Sequence, residues 1–231
     1  GRLIMRLIDS TSGEIVLDNE KISSLSGEAL RSKRGDFQMI FQDPQASLNG
    51  RMKIRDIVAE GLDIHKLAKS KSDRDSKVQA LLDLVGLNKD HLTRYPHEFS
   101  GGQRQRAWIA MTLAQDTDII LLDEPTTYLD MTHQIEVLDL LFELNETEQR
   151  TIVMVLHDLN LACRYADNIV AIQDKQIYAQ GKPEEVVDEK LVRDVFRMEC
   201  QISTDPLFGT PLCIPHGKGR RVRKEVAQAI R

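Results

Sequence analysis

No run of apolar residues in this chain approaches the roughly 20 needed to cross a bilayer as a helix, so no membrane-spanning helix is expected. Cysteine is scarce. Cys163, Cys200 and Cys213 are an odd, scattered set that makes no metal motif and fits reduced cytosolic thiols. No secretory leader is visible, and there is no internal repeat and no low-complexity segment. The 41% hydrophobic and 29% charged residues instead fit a globular chain, and 231 residues fill one large domain or two small ones. The net charge of −5 is uneven: from Gly217 onward six basic residues stand against one acidic, which gives +5 and leaves −10 for residues 1–216. Such a tail, residues 217–231, can touch lipid or nucleic acid. A solvated, poorly ordered terminus is the simpler reading, and no nucleic-acid partner is expected.

The apolar periodicity divides the chain into elements. Leu3, Ile4 and Leu7 share a helical face, so Gly1 to Leu7 reads as helix interior. Glu14–Asp18 and the segment near Ile22 read as a hairpin about Asn19-Glu20. Asp36–Phe41 reads as a strand ending at Gln42, which Asp43-Pro44 breaks. Ile54, Ile57, Val58 and Leu62 have helical spacing, as do Val78, Leu81, Leu82 and Val85, with Gly86 as a stop and polar Lys69–Lys77 as a loop between. Residues 51–95 are therefore a helical insert between strands. Ile119–Leu122 and Ile152–Leu156 are continuous apolar runs, suited to parallel strands covered by helices on both faces. Ile135, Leu138, Leu141 and Phe142 make a helix face between them. Asn168–Ile172 and Gln176–Gln180 read as a hairpin turning at Asp174-Lys175, and Glu184–Arg197 as a terminal helix.

The chemistry gathers at strand ends. Gln42, the pair Asp123/Glu124, and His157 each follow an apolar strand-like run. In open α/β sheets ligands bind outside the carboxyl ends of the strands, so one rim would receive an amide, two carboxylates and an imidazole. Any one of these alone would be an ordinary surface or structural residue. Ser100-Gly101-Gly102-Gln103 has the Ser-x-x-Gln form of a capping box opening a helix, and Ala107–Ala114 is apolar enough to be buried. Two glycines in the first turn each weaken a helix by up to ~1 kcal/mol, so a cap alone does not explain them. Glycines there let a phosphate approach the N–H groups at the positive helix end. Asp130 reads equally as the N-cap of the next helix.

Phe99-Ser100-Gly101-Gly102-Gln103-Arg104-Gln105-Arg106, followed by Ile119-Ile120-Leu121-Leu122-Asp123-Glu124-Pro125, resembles the signature and Walker B pair of ATP-binding cassette (ABC) ATPases. The resemblance covers about residues 1–200. It implies a P-loop NTPase-like α/β core (residues 1–216) with an α-helical subdomain inserted at about 43–115. It also implies ATP and Mg²⁺ as cofactors. Asp123 would then ligate Mg²⁺, Glu124 would activate water, Gln42 would be the Q-loop residue that senses Mg²⁺ and water, and His157 the switch histidine. Ser100–Gln103 would contact nucleotide held by an opposing subunit, with Asp130 in the D-loop at the dimer interface. The implied partners are a second ATPase subunit, identical or not, and membrane permease subunits; the implied location is cytoplasmic, peripheral on the inner face of the membrane.

No Gly-x-x-x-x-Gly-Lys-Ser/Thr occurs in the chain: Gly181-Lys182 and Gly217-Lys218 lack both the following hydroxyl and the earlier glycine. The sequence looks as if it begins just after a phosphate loop, and a chain of this form is expected to be inactive alone. A degenerate partner that lends its signature to another subunit is one alternative. A soluble ABC protein of DNA repair or translation is another, disfavoured because no coiled coil, zinc module or second cassette is present. The two halves also differ in flavour. Residues 36–62 look like oligopeptide and dipeptide importer ATPases, and 107–215 like iron–siderophore importer ATPases, with the change near Ser100–Arg106. This suggests a mosaic, or one subfamily that blends both, and the half that docks a permease points to a peptide permease.

Overall fold

Four consecutive apolar residues, Ile119–Leu122, are buried only if both faces of their strand are covered. In the computed structural model, which describes residues 3–17, 19–40, 48–127 and 129–217, this requirement organises the first of two compact units, 1–156 and 157–231. Strand β4 (Ile119–Asp123) lies between β3 (Phe37–Ile40) and β5 (Thr151–Val155) in a parallel sheet, with Ile119 opposite Phe37 and Thr151. Ile120 and Leu122 enter a helical core; Leu121 enters another with Phe37, Met39 and Ile22. The second face is covered by a short antiparallel hairpin, β1 (Val16–Leu17) and β2 (Glu20–Lys21), and by Ile4 and Met5. The hairpin turns at Asn19, whose φ of 61° is the left-handed conformation that asparagine tolerates.

β5 departs from expectation. Ile152 and Met154 pack on the helical core, but Val153 and Val155 are about half exposed, so this strand alternates rather than being covered on both faces. Among the described residues β5 pairs with β4 alone, as an outer strand.

Residues 3–8 form turns, not the helix expected. In this segment Arg6 adopts φ 51°, outside the helical region. Tertiary bonds hold it: Arg34 donates to the carbonyls of Met5 at 3.1 Å and Arg6 at 2.7 Å. Helix α1 (Gly27–Lys33) was not legible, because none of its residues is buried and no apolar stripe announces it.

The helical insert forms as its spacing predicts. In α2 (Ile54–Ile64), Ile54, Ile57, Val58 and Leu62 are buried. α3 spans Lys71–Leu84, so most of the supposed loop is helix. Its polar first turns face water, and Ser70 caps them by accepting from the Asp73 N–H at 3.1 Å, while Asp73 accepts from Lys69 N at 2.7 Å. Gly86, at φ 72°, follows its end. α4 (Gly101–Leu113) buries Ala107, Trp108, Ile109, Ala110 and Leu113 against α2, α3 and the sheet. α5 (Met131–Glu148) connects β4 to β5; its buried face is Val137, Leu138, Leu141 and Leu144, while Phe142 of the expected face is half exposed.

In the second unit, α6 (Leu159–Tyr165) precedes an antiparallel hairpin, β6 (Ile169–Gln173) with β7 (Gln176–Gly181). Its turn is the one expected: Asp174 and Lys175 have φ of 47° and 65°, both left-handed. The expected terminal helix is two helices, α7 (Pro183–Val186) and α8 (Glu189–Phe196). Asp188 separates them, its carboxylate accepting from Leu191 N at 2.7 Å as the cap of α8. A further hairpin follows, β8 (Cys200–Thr204) with β9 (Pro211–Pro215). Asn160 holds it from α6, accepting from Cys213 N at 2.7 Å and donating to Cys213 O at 3.1 Å.

The three scattered cysteines are all free and buried in this unit. Burial pushes the Cys163 and Cys213 thiols up to about 11, which keeps them protonated and poor nucleophiles. Residues 218–231, most of the basic tail, lie outside the described residues.

Leu141, 1% exposed, tests the helical core. Leu141→Ala should lower unfolding free energy by about 2–5 kcal/mol in urea denaturation. The exposed Glu143→Ala should stay within about 0.5 kcal/mol of the parent.

Candidate functional site

The site begins where β4 runs out of sheet. Asp123, its last residue, lies opposite Val155 and is half-buried. The next residue, Glu124, has φ 54°. A left-handed non-glycine backbone costs about 1–3 kcal/mol and persists only when its surroundings hold it. Here the turn does so twice. Thr127 N–H donates to the Glu124 carbonyl at 3.2 Å, and Thr127 Oγ1 donates to Glu124 Oε2 at 3.1 Å. Pro125 is buried, and its carbonyl accepts from the buried Gln105 Nε2 at 2.9 Å.

Gln105 belongs to α4, so this bond ties the carboxylate turn to the helix that carries the glycine motif. At the start of that helix the capping box forms in both directions: Gln103 N donates to Ser100 Oγ at 3.3 Å, and Ser100 N donates to Gln103 Oε1 at 3.1 Å. Ser100 and Gly101 are exposed and Gly102 is buried. Gln103 also meets His91, whose Nε2 lies 3.4 Å from its Nε2. Further along α4, Arg106 donates to Val85 O at 3.2 Å and pairs with Glu136 of α5.

Asp130 acts locally as the N-cap of α5. Its Oδ1 accepts from His133 N at 3.0 Å and lies 2.8 Å from His133 Nδ1. The backbone N–H of His133, and then its ring, hold this carboxyl below its ordinary range. His157 is exposed and opens the second unit; the next residue, Asp158, caps α6 by accepting from Asn160 N at 2.8 Å and Leu161 N at 3.1 Å. Gln42 falls outside the described residues.

The structure therefore brings Ser100–Gln103, Asp123, Glu124 and Asp130 into one unit, while His157 belongs to the other. Thr127, Gln105 and His133 were missed in sequence. A buried glutamine in an apolar helix and a histidine three residues after a cap were the available signals. The glutamine's partner, Pro125, lies on another element, while Thr127 and His133 bond residues three positions back, Glu124 and Asp130.

The residues present suit Mg²⁺ and a nucleotide. Among the described residues no cluster of three or more His, Cys, Asp or Glu could cage a metal. Mg²⁺ usually takes one or two carboxylates, with substrate phosphates and waters completing its shell, and a partly exposed Asp123 offers that. A Cβ at Gly101 would meet no atom within 4 Å, so the exposed helix end has open space beside it.

The family described as "ABC transporter" matches residues 2–127. The petrobactin import ATP-binding protein FpuD of Bacillus anthracis is 67% identical over 232 residues, covering 100% of this chain and 83% of that protein. The oligopeptide transport ATP-binding protein OppF of Streptococcus mutans is 53% identical over 186 residues, covering 80% of this chain and 60% of that protein. Among solved structures, cbiO1 from Clostridium perfringens, part of the ABC transporter complex cbiONQ, superposes with a TM-score of 0.73 at 27% identity, over 84% of this chain and 75% of that one. The dimeric ATP-binding cassette MJ0796 bound to ADP and Pi gives 0.69 at 31% identity, over 78% of each. The carboxylate turn, the capped glycine helix and these likenesses together make the chain a member of the ABC transporter ATP-binding family, whose members hydrolyse ATP.

Proposed function

We propose that this chain is the ATPase subunit of an ABC importer, working on the cytoplasmic face of the membrane with a second ATPase subunit and membrane permeases. One observation carries the reading. The Gln105–Pro125 bond at 2.9 Å joins α4, whose exposed start carries the glycine motif, to the Asp123–Glu124 turn. Residues 1–216 then form the ATPase domain, with a helical subdomain at about 43–115.

In this reading Asp123 holds Mg²⁺, which supplies charge neutralisation at the transferred phosphate. Glu124 orients a water and takes its proton, and Thr127 fixes the carboxylate that does so. Ser100, Gly101, Gly102 and Gln103 meet the nucleotide bound by the opposing subunit. Gln42 and His157 contribute the sensing amide and the switch imidazole. Asp130 keeps its cap and adds an interface role.

An iron–siderophore cargo fits this chain better than a peptide. FpuD matches both halves of the chain, including residues 36–62, at higher identity than OppF reaches over a shorter stretch. That continuity favours one subfamily blending both flavours over a mosaic, and an iron–siderophore permease over the peptide permease expected from the first half.

Three measurements test these proposals. In a subunit carrying a phosphate-binding loop upstream of this chain, Glu124→Gln should keep nucleotide binding while turnover falls by about 10²–10⁴-fold. Asp123→Asn should instead weaken Mg²⁺ binding, raising the Mg²⁺ concentration that turnover needs; normal turnover in Glu124→Gln removes the base assignment.

The 231-residue chain alone should give no tight, Mg²⁺-dependent heat of ATP binding, since the N–H cradle and lysine of a phosphate loop are not among its residues. A tight site seen by calorimetry refutes this.

Co-expressed with both permease types, the loop-bearing subunit should co-purify with the siderophore permease. Recovery with the peptide permease alone reverses the cargo reading.

A further inference from the structure

The two glycines of the signature look interchangeable in sequence but differ in space. A side chain at Gly101 would meet nothing within 4 Å. Gly102 is buried: a Cβ there would overlap His133 Cδ2 and sit 2.8 Å from Nε2 and 2.9 Å from Cγ. Real Cβ atoms do not approach other atoms so closely, so the imidazole occupies the space a side chain at 102 would need. The same ring is gripped from its other edge by Asp130, 2.8 Å from Nδ1, while the His133 backbone N–H is held by the same carboxylate oxygen at 3.0 Å. A carboxylate only accepts, so the Nδ1 of a neutral ring carries the proton. Two dihedral angles separate the ring from a capped helix start, and both ends of the side chain are fixed.

We propose that His133 is a positioning residue for the nucleotide: it is the spacer between the Asp130 turn and the first turn of the signature helix. On this account Gly102 is glycine because His133 sits where its Cβ would lie, while the space beside Gly101 is open. The proposal rests on the reading of Ser100–Gln103 as the segment that meets nucleotide across the dimer. Displacing the ring should shift the helix start against the Asp123–Glu124 turn. The consequence belongs to binding more than to the chemical step, because Glu124 is held separately by Thr127.

The test is a cycle of Gly102→Ala, His133→Ala and the double variant, with His133→Asn as the conservative replacement able to keep the Asp130 hydrogen bond. On this chain, thermal melting should show Gly102→Ala lowering the midpoint when His133 is present. With Ala at 133 the same change should raise the midpoint or leave it unchanged, since alanine is the better helix former. In the loop-bearing subunit, Gly102→Ala should raise KM for ATP about fivefold or more with a smaller change in kcat, the mark of lost binding. The double variant should return to the KM of His133→Ala, and the pair with Asn at 133 should come closer to the parent.

A Gly102→Ala chain that fails to fold while the double variant folds also supports the proposal; failure of both overturns it. Gly102→Ala equally harmful with and without His133 overturns it too, because the glycine would then be needed for ligand approach. Ser100→Arg separates the two readings. If that substitution leaves turnover intact, the signature assignment itself fails, whatever the cycle gives.

Discussion

Burial of α4 is the constraint on which the rest of the first unit depends. Its stem, Ala107–Leu113, is enclosed by α2, α3 and the helical face of the sheet, and Trp108, Ile109 and Ala110 are almost wholly inaccessible. A helix held so firmly cannot slide without opening voids, which close-packed interiors resist. Its first turn, which lacks apolar side chains, therefore projects at a fixed place. The capping box at Ser100 and Gln103 satisfies the end without filling the space beside it. That combination of immobile stem and open tip is what an anion-contacting helix end needs.

From this anchor the polar contacts run outward to the carboxylates. Gln105, inside the same helix, must place its amide or pay the cost of a buried unpaired donor. It does so on the Pro125 carbonyl, next to the strained Glu124. The left-handed Glu124 is thus held by two neighbours of different kinds, a hydroxyl three residues on and a helix from elsewhere in the chain. Arg106 and His133 add contacts between the same helix and α5. The glycine motif and the acidic turn, about 20 residues apart in sequence, are thus linked through α4.

The second unit is built differently. Its core is small, and directional bonds compensate. Arg164 donates to the buried Asp205 at 2.8 Å and lies over the Phe208 ring, while Asp205 also accepts from Leu207 N at 2.9 Å and Phe208 N at 3.3 Å. Asn160 clamps the last hairpin through both backbone groups of Cys213. These are contacts between residues roughly 40–50 apart in sequence, and nothing in the local pattern announces them.

The sequence by itself determined whatever depends on near neighbours. The apolar run of β4, the helical stripes of α2 and α3, the Asp174-Lys175 turn and the Ser100–Gln103 cap are each fixed within a few residues, by period or by turn chemistry. The acidic pair at the end of β4 was legible for the same reason: a buried strand turns polar only where it leaves the sheet. Tertiary structure decided what depends on distant partners. Residues 3–8 look helical but are held as turns by Arg34. Lys71–Lys77 are a different case: they look like a loop but are helical, and the Ser70 cap that starts them is local, without an apolar stripe to announce it. Gly101 and Gly102 read alike until His133 is seen resting on one of them. A one-dimensional pattern records which faces are apolar; it does not record which side chain from another element comes to lie against them.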